Sequence, residues 1–231
     1  MSLRDGSAVS SAAVSLLSGG LDSMVATLLW LSHGKVVSLG LTFDYGQRAA
    51  QREAAAAARF CEQHRIEHVV IALPFLAQLS LQRGSLLVAT DQPLPSGTLA
   101  APGDERSAAL VWVPARNAVF LSIAAAHAEV RAAGIVLAGF NREEAATFKD
   151  NSPAFVSAAS AFFALGTQPS VGVESPTLWM DKREIVRHAR RLGLRPEAPW
   201  SCYGGGDTPC GRCESCLRSA RAWASDDECG H

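Results

Sequence analysis

Short apolar runs alternate along this chain with longer stretches whose apolar residues recur at helical spacing. Residues 13–17 form a compact apolar run, and residues 24–31 follow with the period of a helix. Residues 36–43 read as a buried strand, residues 48–64 as an alanine-rich helix, and residues 68–73 as a third strand closed by Pro74. From 83 to 106 the chain is rich in Gly, Pro and Ser without a clear period, a gap that in this class is usually functional or disordered. Regularity resumes at 110–114, then a helix is predicted over 117–132 and a strand over 135–139. Residues 154–164 predict a helix with an apolar face, and residues 181–192 another, with Asp181 at its cap and Glu184 three residues on. There is no internal repeat. Strands alternating with helices predict an α/β fold, a parallel sheet covered on both faces.

Composition narrows this further. A chain of 231 residues, 48% of them apolar, fits one large domain or a domain with a small appendage, and can bury a real core. No apolar run approaches the roughly 20 residues that span a bilayer. The first residues lack a basic region with a long apolar core and a cleavage site, so a cytoplasmic protein is expected. The net charge of −1 gives no reason for non-specific nucleic-acid binding. A basic stretch over 181–221, including Lys182 and Arg183, reads first as a solvated helix face, though it is able to attract an anionic ligand or RNA.

Two motifs carry chemistry. Ser18-Gly19-Gly20-Leu21-Asp22-Ser23 lies between the first strand and the first helix. Glycines there let the backbone approach a phosphate, the first helical amides point at it, and Ser18 and Ser23 add hydroxyls. Asp22 is placed to hold Mg²⁺ or to cap the helix. The segment is neither a Walker A loop nor a Gly-x-Gly-x-x-Gly turn. The second motif is Cys202-x7-Cys210-x2-Cys213-x2-Cys216, four of the six cysteines within a short span, a metal pattern more than a disulfide framework. Four thiolates suit a closed, structural zinc site. An iron–sulfur cluster is the competing reading, and the spacing alone does not choose. Cys61 reads as packed and Cys229 as free.

The loop resembles that of the ATP pyrophosphatases (PP-loop proteins). With the cysteines, the chain is similar to the 7-cyano-7-deazaguanine synthase family over nearly its whole length. That resemblance rests on residues 18–23, Phe43-Asp44-Tyr45-Gly46-Gln47-Arg48, Val113-Pro114-x-Arg116-Asn117 with Phe120-Leu121-Ser122, and Pro199-Trp200-Ser201-Cys202-Tyr203 with the last three cysteines. It implies a Rossmann-like sheet of the adenine nucleotide alpha hydrolase type, with an ATP-binding domain over 1–197 and a zinc-binding segment over 198–231. ATP would lie along Leu17, Ser18, Gly19, Gly20, Leu21, Asp22, Ser23, Met24, Val25, Ala26 and Thr27. Asp22, Ser23 and Arg116 would be catalytic, and Tyr45, Gln47, Arg48, Asn141 and Asp150 would meet the substrate. Mg²⁺, Zn²⁺ on Cys202, Cys210, Cys213 and Cys216, and a homodimer complete the implication.

The implied reaction turns 7-carboxy-7-deazaguanine and ammonia into the nitrile through an adenylated carboxylate and an amide. Arg116 would neutralise phosphates or the substrate carboxylate; a cation at a helix start opposes the helix dipole, which favours a functional reading. Asn117 reads as a cap. Residues 139–152 depart from the family pattern, which carries an aromatic and a Pro-Asp-Cys sequence there. Two alternatives therefore stand: a paralogue that passes the activated acid to another amine, including one on a protein, and a PP-loop tRNA-modifying enzyme.

Overall fold

The computed structural model describes residues 12–89, 92 and 109–224, so the N-terminal segment, Cys229 and most of the irregular 83–106 stretch lie outside the described residues. Five strands form one parallel sheet in the order β3-β2-β1-β4-β5: β1 (Ala12–Leu16), β2 (Val36–Asp44), β3 (His68–Ala72), β4 (Ile135–Leu137) and β5 (Gly172–Glu174). β1 pairs with β2 from Ala12↔Val36 to Leu16↔Leu41, and on its other side with β4 from Ala13↔Ile135 to Ser15↔Leu137. The chain steps outward through β2 and β3, then returns to the far side of β1 for β4 and β5. Loops leaving β1 and β4 therefore diverge, and such a switch point opens a ligand crevice at the carboxyl ends of the strands.

Helices cover both faces, as the alternating pattern requires. One face packs Ala13, Leu17 and Val37 against α1 (Leu21–Ser32), α2 (Ala50–His64) and α7 (Lys182–Arg191), with Ile185, Val186 and Ala189 buried from the last. The other packs Val14, Leu39, Leu41 and Val136 against α3 (Pro74–Arg83), α4 (Arg116–Val130) and α6 (Pro153–Gly166), which supply Leu76, Leu121, Ala124, Val156 and Phe163. The short α5 (Arg142–Thr147) and a 3₁₀ turn (Lys149–Asn151) lead from β4 to α6. The last described element is α8 (Glu214–Ala224), whose Ala222 joins the first core.

Three elements differ from the sequence reading. Pro74 does not merely close β3; it starts α3, where a proline at the first helical turn loses no hydrogen bond. β5 is only three residues long, too short for any alternation to register. α8 emerges from within the cysteine motif, where metal spacing masks the helical period. The α7 reading holds: Asp181 accepts from Glu184 N at 2.9 Å while Asp181 N donates to the Glu184 carboxylate at 2.8 Å, a full capping box.

Candidate active site

The turn from β1 into α1 is shaped by close contact. Gly19 sits at φ +74°, and a Cβ there would stand 2.2 Å from the Glu53 carbonyl oxygen, so only glycine lets α2 come this near. Gly20 is the N-cap and offers no side-chain cap; Ser18 Oγ accepts from Gly20 N (3.3 Å) and Ser23 Oγ donates to Gly20 O (3.0 Å). The first backbone bond of α1 is Met24 N to Gly20 O, so the amides of Leu21, Asp22 and Ser23 have no acceptor within the helix. From the other side Gly139, just after β4, presses against this turn: a Cβ there would lie 2.6 Å from Ser23 N. Free amides at a positive dipole end make a ready anion site.

This turn borders a cleft of about 290 Å³ at the switch point. Leu17, Ser18, Gly20, Leu21, Asp22 and Ser23 line it, and Gly19 shapes it from behind. Met24, Val25, Ala26 and Thr27 do not: the helix turns all four into the core, where Thr27 Oγ1 bonds Ser23 O and Ser15 Oγ at 2.8 Å each. Those four positions pack beneath the loop.

At the phosphate end a chain of charges crosses the cleft. Lys182 Nζ donates to Asp22 Oδ2 at 2.6 Å and stands 3.8 Å from Glu144 Oε1, which is also 3.7 Å from Arg218 Nη1. Arg218 in turn bonds Glu214, whose other oxygen accepts from Tyr203 OH at 3.2 Å. The remaining oxygen of Asp22, Oδ1, is buried without a hydrogen-bond partner. Burial pushes the Asp22 carboxyl above the ordinary aspartate range despite Lys182. Burial also opposes the charge of Lys182, but Asp22 and Glu144 outweigh it and hold the amine above the ordinary lysine range. Lys182 is thus not a solvated residue of a basic face. It sits in the first turn of α7, where a cation opposes the helix dipole, and that signal could have singled it out.

At the other end Arg116 opens α4 after Ala115, a non-glycine residue in the left-handed region (φ 50°). That costly conformation aims Arg116 inward, and its guanidinium donates to Tyr45 OH at 3.3 Å. Gln47 is buried and ties the β2–α2 turn, accepting from Tyr45 N (2.9 Å) and donating to Phe43 O (3.0 Å) and Glu53 (2.9 Å). Burial raises the Glu53 carboxyl above its usual range, against the Gln47 hydrogen bond. Phe43 and Phe120 stack with centroids 4.3 Å apart, and both line the cleft. Asn117 is not a cap; its amide donates to the Asp150 carbonyl at 3.2 Å.

Three residues expected at the substrate are placed otherwise. Arg48 points away from the cleft and donates to the carbonyls of Leu86 (3.0 Å), Ala89 and Gln92, pinning that segment. Asn141 caps α5, accepting from Glu144 N at 2.9 Å, and leaves its buried Nδ2 unpartnered. Asp150 stands behind Asn151, which reaches the cleft in its stead. Around them Phe140, Glu144 and Phe148 do line the wall, so the divergent 139–152 stretch faces the cavity.

The Sγ atoms of Cys202, Cys210, Cys213 and Cys216 lie within 4.8 Å of one another, Cys210 and Cys216 at 4.0 Å. Tetrahedral zinc with Zn–S near 2.3 Å needs sulfurs about 3.8 Å apart, so the donor set fits such an ion with little movement. Amides of Gly204 (3.2 Å) and Cys213 (3.3 Å) point at Cys202 and Cys210 sulfurs, as they would at thiolates. The cluster is coupled to the cleft: Trp200 N donates to Gly19 O at 2.8 Å, and Trp200, Ser201, Tyr203, Ser215, Arg218 and Ser219 form one wall.

A parallel sheet with a glycine-rich loop at its switch point defines a Rossmann-like α/β protein. Its fold matches the NMN synthetase of Francisella tularensis with a TM-score of 0.52, at 15% identity, over 95% of this chain and 78% of that one. The family model for Queuosine biosynthesis protein QueC matches residues 12–227, and the chain belongs to that family. Relatives named 7-cyano-7-deazaguanine synthase are 48% identical in Pelotomaculum thermopropionicum, over 90% of this chain and 94% of that one. Those of Methanosarcina mazei (91% and 93% covered) and Bdellovibrio bacteriovorus (92% and 92%) are 42% and 44% identical. No helix among the described residues is long and apolar enough to cross a membrane.

Proposed function

We propose that the protein is an ATP-dependent ligase that converts 7-carboxy-7-deazaguanine and ammonia to 7-cyano-7-deazaguanine. The observation that carries this is the glycine-rich loop with its unpaired helical amides, joined by Lys182 at one end of the cleft, in a chain of this family. A carboxylate is a poor electrophile, so it is activated by attack on the α-phosphorus of ATP. Pyrophosphate then leaves toward the amides of Leu21, Asp22 and Ser23, with Lys182 neutralising the charge that develops. Ammonia displaces AMP to give the amide; a second activation, on the amide oxygen, and loss of AMP give the nitrile. The unpartnered Asp22 Oδ1 is the oxygen donor a Mg²⁺ needs from the protein when the other ligands are phosphates and water. Mg²⁺ there supplies charge neutralisation. Arg116 and Tyr45, with the Phe43–Phe120 stack, line the end left for the flat ring.

The cysteine cluster holds structural Zn²⁺ in this reading, and four protein thiolates leave it no open position. A homodimer in the cytoplasm belongs to the same proposal. The test is mass spectrometry of products from purified protein with ATP, Mg²⁺, ammonium and the acid. Nitrile with AMP and pyrophosphate supports the ligase. ATP consumed without amide or nitrile points to another amine acceptor, for which the wall formed by the divergent 139–152 stretch would be responsible. No AMP at all sinks carboxylate activation for this acid.

A further inference from the structure

Arg218 is delivered to the cleft by α8, the helix that begins between the third and fourth cysteines of the cluster. Its Nε donates to Glu214 Oε1 at 2.8 Å and its Nη2 bonds the same oxygen, so one side of the guanidinium is fixed. Its Nη1 makes no hydrogen bond among the described residues and stands 3.7 Å from Glu144 Oε1 on the cleft wall. Lys182 Nζ lies 3.8 Å from that same oxygen while bonded to Asp22 at the phosphate loop. Glu144 therefore sits between two cations and satisfies neither at hydrogen-bond distance. Tyr203, next to the first cysteine of the cluster, holds the far oxygen of Glu214 and completes the mount.

We propose that Arg218 is a specificity-determining residue that binds the carboxylate of the acid through Nη1, which is ion-paired with Glu144 without a hydrogen bond, and presents it to the α-phosphorus. The inference rests on the function proposed above and goes beyond it. The reacting carboxylate must lie beside the phosphates. Arg218 is the cation that shares a carboxylate with Lys182 at that end, whereas Arg116 is engaged with Tyr45 at the other. In the step itself the carboxylate oxygen forms a bond to the α-phosphorus as the bond to pyrophosphate breaks. Arg218 transfers no proton; it holds the charge of the acid before attack. The amide of the second stage carries no such charge and does not need it.

The test compares Arg218→Met and Arg218→Lys with the unaltered, metal-loaded protein. Conversion of the acid to the amide and of added amide to the nitrile are followed separately by mass spectrometry, together with KM for acid and for ATP, zinc content and melting temperature. Loss of a charge-assisted hydrogen bond predicts an about 10- to 100-fold fall in kcat/KM for the acid in the Met variant. KM for ATP and the amide stage should change less than about threefold, and Lys should restore part of the loss, as a charge without the fork does. Equal loss in both stages with zinc retained overturns the proposal, as does a rise in KM for ATP alone or no change at all. If the Met variant does not fold, the Lys variant decides by the same split between acid and amide. An unaltered protein inert toward both acid and amide overturns the function itself, and this proposal with it.

Discussion

Two ion pairs in this protein have the same length and opposite meanings. Lys182–Asp22 and Arg131–Glu67 each close to 2.6 Å. The first pair's side chains are 12% and 17% exposed and face the cleft; those of the second are 29% and 55% exposed. Burial pushes Asp22 up despite its lysine, whereas hydrogen bonds from Arg131 bring Glu67 below the usual glutamate range. Distance does not decide what a pair is for; the surrounding medium does. A buried pair is weak evidence for stability, because desolvation consumes most of the attraction. Its persistence beside a phosphate loop points to function.

The largest break in the comparison comes from the far end of the buried network. Lys182 connects through Glu144, Arg218 and Glu214 to Tyr203, beside Cys202, while among the described residues Arg131–Glu67 has no link to the four-cysteine cluster. Structural zinc contributes roughly 10–16 kcal/mol in small zinc-binding peptides. Treatment with a strong chelator should abolish ATP turnover and loosen α8, and added zinc should restore both. Circular dichroism and AMP release check this. Full activity after proof of metal loss would show that the cluster does not support the site.

Next in size is Lys182→Met, which strands the Asp22 charge. Breaking a buried pair costs about 3–5 kcal/mol, and loss of a positioned charge costs about 10²–10³ in rate. The double variant D22L/K182M should recover melting temperature and none of the activity. A single variant that melts and turns over ATP like the parent would place this pair in the same class as Arg131–Glu67. Gly139→Ala attacks the network from the loop side with a smaller effect. Its Cβ would meet Ser23 N at 2.6 Å and Ser23 Cα at 2.7 Å, backbone atoms that must shift. About 1–3 kcal/mol of stability should be lost, with a raised KM for ATP read from the same assay.

What the sequence made legible follows the same division between local and assembled features. Residues 18–23 and the strand before them are contiguous, so the anion site can be read without a fold. The cysteines are nearly so, and their sulfurs do converge. Lys182 and Asp22 are 160 positions apart and Arg218 lies beyond both, so only the sheet order brings them together. Arg48 was legible as a motif residue but not as a clamp on Leu86, because the side it faces depends on how the next loop packs. Met24 to Thr27 follow the loop in sequence, yet the helix carries them beneath it within one turn.

Glu67→Gln tests the exposed side of the comparison and should do least. The carboxyl is held low by Arg131, so its contribution is present above the ordinary glutamate pKa and is lost as pH falls through the folded value. At neutral pH the variant should melt slightly below the parent, and the two curves should converge on acidification. Asp22 has the reverse sign: its folded carboxyl is raised, so its own contribution to stability falls as pH rises from the ordinary aspartate range to that raised value. Added salt should narrow the Glu67 gap as well, since exposed charges are screened, and AMP release should not change at any pH where both proteins are folded. A gap that persists below the folded pKa and in high salt would mean that Glu67 acts through packing. In that case the equal lengths of the two pairs would no longer isolate the medium as the cause of their difference.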